Sequence, residues 1–215
     1  MAKKSGSPTL AVRTDDKPLD KKSARTRMRI LDAAAQVLSD KGFAGMRLTD
    51  VAEVAQVQAP AIYYYFASRE GLIEEVMWVG LADMREFLLR ALQAAPDDAT
   101  ALDRILVAVE AHLRHELEIS HYTTAAIRNS GQLPDAIAER HQAEQRKYGV
   151  IWRDLVRAAN EAGELRDDLD PYVAQMLVMG TINWTVEWWK PGRVSIERVV
   201  ANAQTYVRHA LSPAS

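Results

Sequence analysis

Cysteine is absent from this chain. Disulfides, thiolate catalysis and cysteine-ligated zinc are excluded together, and a reducing compartment, the cytoplasm, is the expected setting. A run of membrane length is missing as well. The least charged stretch, Pro171–Val186, falls short of the roughly 20 apolar residues a span needs. It also carries Gln175, Thr181, Asn183 and Thr185, so a buried helix is expected there and a membrane is not an expected partner. No apolar segment opens the N-terminus, which argues against a secretory signal. Period-two alternation is nowhere sustained, no 20–50-residue unit repeats, and H-E-x-x-H, P-loop and G-x-S-x-G signatures are all missing.

What is present is an apolar content of 48% in 215 residues, ample for a core, with apolar residues at helical spacing. An all-α chain of nine helices follows. The net charge of −2 is unevenly spread. Nine Lys/Arg (Lys3, Lys4, Arg13, Lys17, Lys21, Lys22, Arg25, Arg27, Arg29) face three Asp between Met1 and Arg29, and the remainder is net acidic. A basic end on an acidic body suits phosphate binding. Residues 1–22, rich in Ser, Pro, Lys and Asp, are expected to form a disordered tail, and whether they touch DNA is left open.

The chain is organised around Arg47–Arg69. Leu48, Val51, Ala52 and Ala55 mark a helix of two turns, Gln56-Val57-Gln58 breaks it, and Pro60 sits in the first turn of the next, where its missing N–H costs nothing. Two helices this short must lean on a third, predicted over Ser23–Lys41 and ended by Gly42. A helix-turn-helix of this kind places its second helix in the major groove. Ser68 then caps a long helix to about Ala94. Helices follow over about Ala99–Ile119, Tyr122–Asn129, Pro134–Ala162, Pro171–Trp189 and from Ser195. The division expected is residues 1–22 as tail, 23–67 as the DNA-binding unit and 68–212 as a helical bundle, to which the resemblance described next assigns ligand binding and dimerisation.

Five blocks, RILDAA (Arg29–Ala34), GFAG (Gly42–Gly45), LTDVAEVAQV (Leu48–Val57), AIYYYF (Ala61–Phe66) and SREGL (Ser68–Leu72), make this region resemble the TetR/AcrR family of transcriptional regulators. Two positions depart from the family pattern: Arg47 stands where Thr or Ser caps the second helix, and Gln56 where the turn has Gly. The resemblance implies a homodimer on a palindromic double-stranded operator, with no cofactor. It places Gln58, Ala59 and Pro60 nearest base edges. Tyr63, Tyr64 and Tyr65 become backbone or base contacts. Arg47, Thr49 and Arg69 become phosphate clamps, so Arg69→Ala would flatten the salt slope by about 1.

The resemblance further implies dimerisation through the last two helices and a small-molecule pocket between the long ones. His141, Gln145, Tyr148 and Trp152 recur along one helix face, with His112, Glu116, Tyr122, Arg128, Asn183 and Trp184 expected opposite. Core packing is the competing reading for the aromatic members. The segment Asn183–Gly192 resembles a branch that regulates fatty-acid or acyl-CoA metabolism, although Met179, Asn183 and Glu187 precede Trp188 in place of the basic residues CoA phosphates favour. A repressor released by a small apolar, aromatic or acyl-CoA-like effector is therefore expected. The alternatives are a constitutive regulator without ligand and, remotely, a metal-dependent enzyme using His112, His115, Glu116 and His121.

Overall fold

The structure, a computed structural model, describes residues 21–135 and 138–213; residues 1–20 of the basic tail lie outside them, and Lys21 and Lys22 already belong to the first helix. The described residues contain helices and no strand. In order these are α1 (Lys21–Gly45), α2 (Leu48–Ala55), α3 (Ala59–Tyr65), α4 (Arg69–Gln93), α5 (Ala101–Arg114, running on as a π-turn His115–Ile119), α6 (His121–Arg128), α7 (Glu139–Glu161), α8 (Pro171–Asn183), α9 (Thr185–Trp188) and α10 (Ile196–Leu211).

Local chemistry sets most of these ends. Ser68, Thr100, Ser120, Asp170 and Ser195 each accept a hydrogen bond from a first-turn N–H, taking up donors a helix leaves orphaned. One expected start is wrong. Pro134 opens only a turn, closed by the Ala138 N–H on the Asp135 carbonyl, and α7 begins at Glu139.

Helical geometry breaks at Gly42, where the first helix was expected to end, and at Trp184, where no break was expected, and in both cases a distant side chain takes a helical partner. Gly42 adopts φ 69°, a left-handed conformation inside α1. The Phe43 N–H, which an unbroken helix would aim at the Ser39 carbonyl, donates instead to Asn129 Oδ1 at 2.7 Å, and Arg128 Nη1 donates to the Ser39 carbonyl at 2.7 Å. The predicted Pro171–Trp189 helix breaks at Trp184 into α8 and α9. There the Val186 N–H donates to Glu116 Oε1 at 3.1 Å, while the Thr185 hydroxyl reaches the Ile182 carbonyl.

Apolar packing forms two clusters. One gathers α1–α3, the first turns of α4, and Ala125 and Ala126 of α6; the other gathers the rest of α4 with α5, α7, α8 and α10. The apolar division thus does not fall at residue 67, because α4 belongs to both clusters and α6 joins the N-terminal one. Two ion-pair sets bolt α4 to α7. Arg140 grips Glu74 at 3.1 and 2.8 Å while stacking on Trp78, and Arg85 pairs with Glu144, which Lys147 also holds at 2.9 Å.

The tightest crossing is α4 over the start of α6. A Cβ on Gly80 would stand 2.3 Å from the Tyr122 carbonyl oxygen. The Thr123 hydroxyl donates to the Gly80 carbonyl at 3.1 Å. Gly80→Ala is therefore expected to destabilise the fold by roughly 1–3 kcal/mol, since backbone must move to admit the methyl group. Gly149→Ala, in mid-helix with nothing within 4 Å of the added Cβ, is expected to gain up to about 1 kcal/mol of helix propensity. Urea denaturation of the two variants checks the opposite signs.

Candidate DNA interface and ligand cavity

The turn between α2 and α3 closes with Gln56 in the left-handed region, φ 54° and ψ 48°, its N–H on the Glu53 carbonyl and that of Val57 on the Ala52 carbonyl. A non-glycine residue there carries strain of order 1 kcal/mol. Gln58 then occupies the N-cap of α3, exposed and making no side-chain cap bond, with Pro60 at the second helical position. Ile62 and Phe66 turn inward. Tyr63 and Tyr64 turn outward, 60% and 77% exposed. Arg47, Thr49 and Pro60 are exposed and Ala59 half-buried, so a single surface presents Gln58, Pro60 and two phenols.

Two expected contact residues sit differently. Tyr65 is half-buried against the N-terminal cluster, accepts from the Ser23 hydroxyl at 3.4 Å and meets Tyr64 edge-on. Arg69 does not offer a free guanidinium. Its Nε donates to the Met46 carbonyl at 3.0 Å, Nη2 to the Phe43 carbonyl and Nη1 to Glu70, with the plane stacked on the Phe43 ring. It holds the α1–α2 connector on α4. Arg27 is spent similarly, on Glu75 and the Phe66 ring. Lys21, Lys22, Arg25 and Arg29 remain exposed on α1.

A cavity of about 370 Å³ lies among α4–α9. Of the ten residues expected to line it, His112, Arg128, His141, Gln145, Tyr148, Asn183 and Trp184 do so, joined by Leu81, Met84, Ile127, Met179 and Val186, which sequence reasoning missed. Their signal was available only as apolar positions on helices whose pairing was unknown. Tyr122 is elsewhere: its hydroxyl donates to Asp32 of α1 at 2.6 Å. Trp152 is fully buried behind His112, edge-on to its ring at 6.2 Å. Glu116 lies one layer back, 2.9 Å from His112 Nε2, and accepts from Thr185 and Val186 of α9. Burial raises the Glu116 carboxyl, and its hydrogen-bonding neighbours His112, Thr185 and Val186 oppose that.

His112 Nδ1 meets the Tyr148 hydroxyl at 2.9 Å. His141, 2% exposed, makes no well-formed hydrogen bond at either ring nitrogen. Burial lowers its pKa, against a weaker upward pull from the Met77 carbonyl nearby. A neutral imidazole with both nitrogens unmatched, on a cavity wall, leaves hydrogen-bonding capacity for something that enters. Of the four residues weighed as metal ligands only His112 and Glu116 meet. His115 contacts Thr123 Oγ at 2.8 Å, His121 faces the Ser39 hydroxyl at 3.5 Å, and among the described residues no group of three or more His, Asp or Glu is disposed to hold a metal.

A profile described as bacterial regulatory proteins, tetR family, matches residues 30–76, and one described as the tetracyclin repressor-like C-terminal domain matches residues 98–211, over half the chain. The chain belongs to the TetR family. It is a DNA-binding transcriptional regulator. It is 28% identical over 174 residues to the HTH-type transcriptional repressor KstR2 of Mycolicibacterium smegmatis, covering 79% of this chain and 82% of that one. To the fatty acid metabolism regulator protein of Bacillus subtilis it is 26% identical over 189 residues, 86% and 89% of the two chains. Among solved structures, AibR in complex with isovaleryl coenzyme A and operator DNA shares the fold with a TM-score of 0.75 at 21% identity, covering 84% of this chain and 97% of that one. KstR2 of Mycobacterium tuberculosis gives 0.72 at 19%, with 86% and 94% covered. No helix among the described residues of this TetR-family chain is long and apolar enough to cross a membrane.

Two measurements follow. Arg69→Ala is expected to lower the regulator's melting temperature, because two hydrogen bonds to the connector go with it; a variant of unchanged stability with a flatter salt slope would return Arg69 to the phosphates. The His115 imidazole is pushed down to about 4 by burial, helped by the charges of His112 and Arg90. Its folded-state pKa lies below the ordinary 6.5, so the unfolded chain binds the extra proton first and stability falls as pH drops from 6.5 towards 4. Urea titrations across that window are expected to show a shallower loss for His115→Gln.

Proposed function

We propose that this regulator is a homodimeric repressor of a palindromic operator, released by a small ligand entering the α4–α9 cavity. The observation that carries the ligand is His141, a buried imidazole that makes no well-formed hydrogen bond at either ring nitrogen, on a largely apolar wall. At about 370 Å³ the cavity lies within the roughly 300–1,000 Å³ of small-molecule sites. It suits an aromatic compound or the acyl part of a thioester. The Bacillus fatty acid regulator and the isovaleryl coenzyme A bound by AibR favour the acyl class. Arg128 is the only cationic residue on the wall, so the phosphates of a whole CoA would have to stay outside.

The exposed surface of α2 and α3 supports the DNA roles. Gln58, Ala59 and Pro60 read base edges, Tyr63 and Tyr64 reach base or backbone, Tyr65 adds a backbone contact through its half-buried hydroxyl, and Arg47 and Thr49 hold phosphates. Dimerisation uses the stretch from α8 through α9 together with α10, whose outer faces expose Tyr172, Leu177 (63%), Trp184 (64%), Trp188 and Tyr206. An apolar face of that size is rarely left to water. A two-fold pair would set its recognition helices roughly 34–36 Å apart, one DNA turn. In function the chain divides into tail 1–22, DNA-reading unit 23–67 and ligand-and-dimer unit 68–212, works in the cytoplasm and catalyses no reaction.

The test is binding of the full-length protein to the palindromes nearest its own gene, with decanoyl-CoA and a set of aromatic compounds as effectors. Specific binding, weakened about 5- to 150-fold by one effector, is expected from a coupling of 1–3 kcal/mol. Gln58→Ala is expected to relax base preference at one position of each half-site while leaving affinity for random duplex unchanged. Binding no palindrome above random duplex at physiological salt overturns the reading.

A further inference from the structure

Arg128 occupies an unusual position. It is a cavity wall residue, yet its two terminal nitrogens are both spent on main-chain carbonyls of other helices. Nη1 donates to Ser39 of α1 at 2.7 Å, and Nη2 donates to Val186 of α9 at 2.5 Å. Glu187 stands 3.3 Å from Nε. The next residue, Asn129, fully buried, accepts the Phe43 N–H and donates to the Ala125 carbonyl at 2.8 Å. Ser39 and Phe43 are the two halves of the helical hydrogen bond that Gly42 opens. The end of α6 has thus been spliced into the end of α1, one residue supplying the donor and its neighbour the acceptor.

We propose that Arg128 is the positioning residue through which the cavity acts on the helix-turn-helix, by holding the Ser39 carbonyl of α1 and the Val186 carbonyl of α9 together. This rests on the repressor reading but names a route separate from the long α4. The Phe43 segment that α1 ends in is also what Arg69 holds, through the Phe43 and Met46 carbonyls, one residue before the N-cap of α2. Anything in the cavity that draws the guanidinium off Val186 or Ser39 loosens the joint on which α2 and α3 are mounted. A ligand with acceptor oxygens, a carboxylate or a thioester carbonyl, competes for it directly. An alkyl group does so only by displacing the Arg128 stem.

The experiment needs no ligand. Full-length wild type, Arg128→Met, Arg128→Lys and the exposed control Arg157→Met are compared for operator affinity, random-duplex affinity and amide exchange. Arg128→Met is expected to stay folded and dimeric and to lose about tenfold in operator affinity with random-duplex affinity unchanged. Exchange is expected to speed more than tenfold at Phe43–Met46 and at Asn129, with α10 as protected as before. Arg128→Lys is expected to fall between, since one ammonium cannot serve two carbonyls so far apart in sequence and direction, and Arg157→Met to match wild type. An Arg128→Met protein within twofold of wild type in operator affinity and in exchange at Phe43–Met46 overturns the proposal. General deprotection that includes α10 overturns it too, because Arg128 would then support the fold at large. Should wild type find no operator, the repressor reading fails, and exchange at Phe43–Met46 still decides for or against the joint.

Discussion

The backbone of α4 at Gly80 rests almost directly on the backbone of α6 at Tyr122, with no side chain between them. Much of the remaining architecture hangs on that contact. It brings the C-terminal end of α6 within reach of α1 and the Thr123 hydroxyl within reach of the Gly80 carbonyl. That hydroxyl has one proton, and the carbonyl takes it, so His115 must present a protonated Nδ1 to Thr123. Burial keeps the imidazole neutral, and the contact then selects the Nδ1–H tautomer. Three helices are locked by one glycine and one hydroxyl group.

The body behind this crossing buries more polarity than a helical core usually does: His112, His115, Glu116, Thr123, Asn129, His141, Glu144 and Gln175 are all nearly inaccessible. Burying such groups costs several kcal/mol each when they are left unmatched. Most are matched, and by a recurring device. Where a helix breaks, the N–H and C=O it strands are taken by side chains from α5 and α6, Glu116 for the α8–α9 break and Arg128 with Asn129 for the Gly42 break. Arg128 serves both, since its other nitrogen reaches Val186. His141 is the exception, and it faces the cavity.

What was legible in the sequence follows from how local each signal is. The helix-turn-helix could be read because apolar spacing, Pro60 and the Ser68 cap all act within a few residues, and the exposure of Tyr63 and Tyr64 follows from the inward period of Ile62 and Phe66. Three of the cavity residues, His141, Gln145 and Tyr148, were legible because they share one face of a single helix, while His112, Arg128, Asn183 and Trp184 were placed opposite them through the family resemblance. Arg69 misled: an arginine opening a helix beside a DNA-reading unit looks free, and its partners Phe43 and Met46 belong to a connector whose path no periodicity encodes. Tyr122 failed for the same reason, Asp32 lying 90 residues away. The Gly42 break was legible, since glycine was read as ending the first helix, but the α8–α9 break was invisible in principle. Pro171–Trp189 carries a continuous helical pattern, and only Glu116, folded in from α5, diverts the Val186 N–H.

Magnitudes favour a small switch over a large one. Regulation of this kind asks for a coupling of about 1–3 kcal/mol. A hydrogen bond from a charged donor contributes about 1.5–3 kcal/mol net, so loss of one of the two Arg128 bonds already covers that range. Repacking α4 would disturb far more: its bidentate Glu74–Arg140 pair, its Arg85–Glu144 pair and the Gly80 contact would all have to give together. Under the Arg128 proposal a rigid α4 keeps the two clusters in register, and the α6–α1 splice, held by few hydrogen bonds, is where the DNA-reading unit tilts once a ligand releases it.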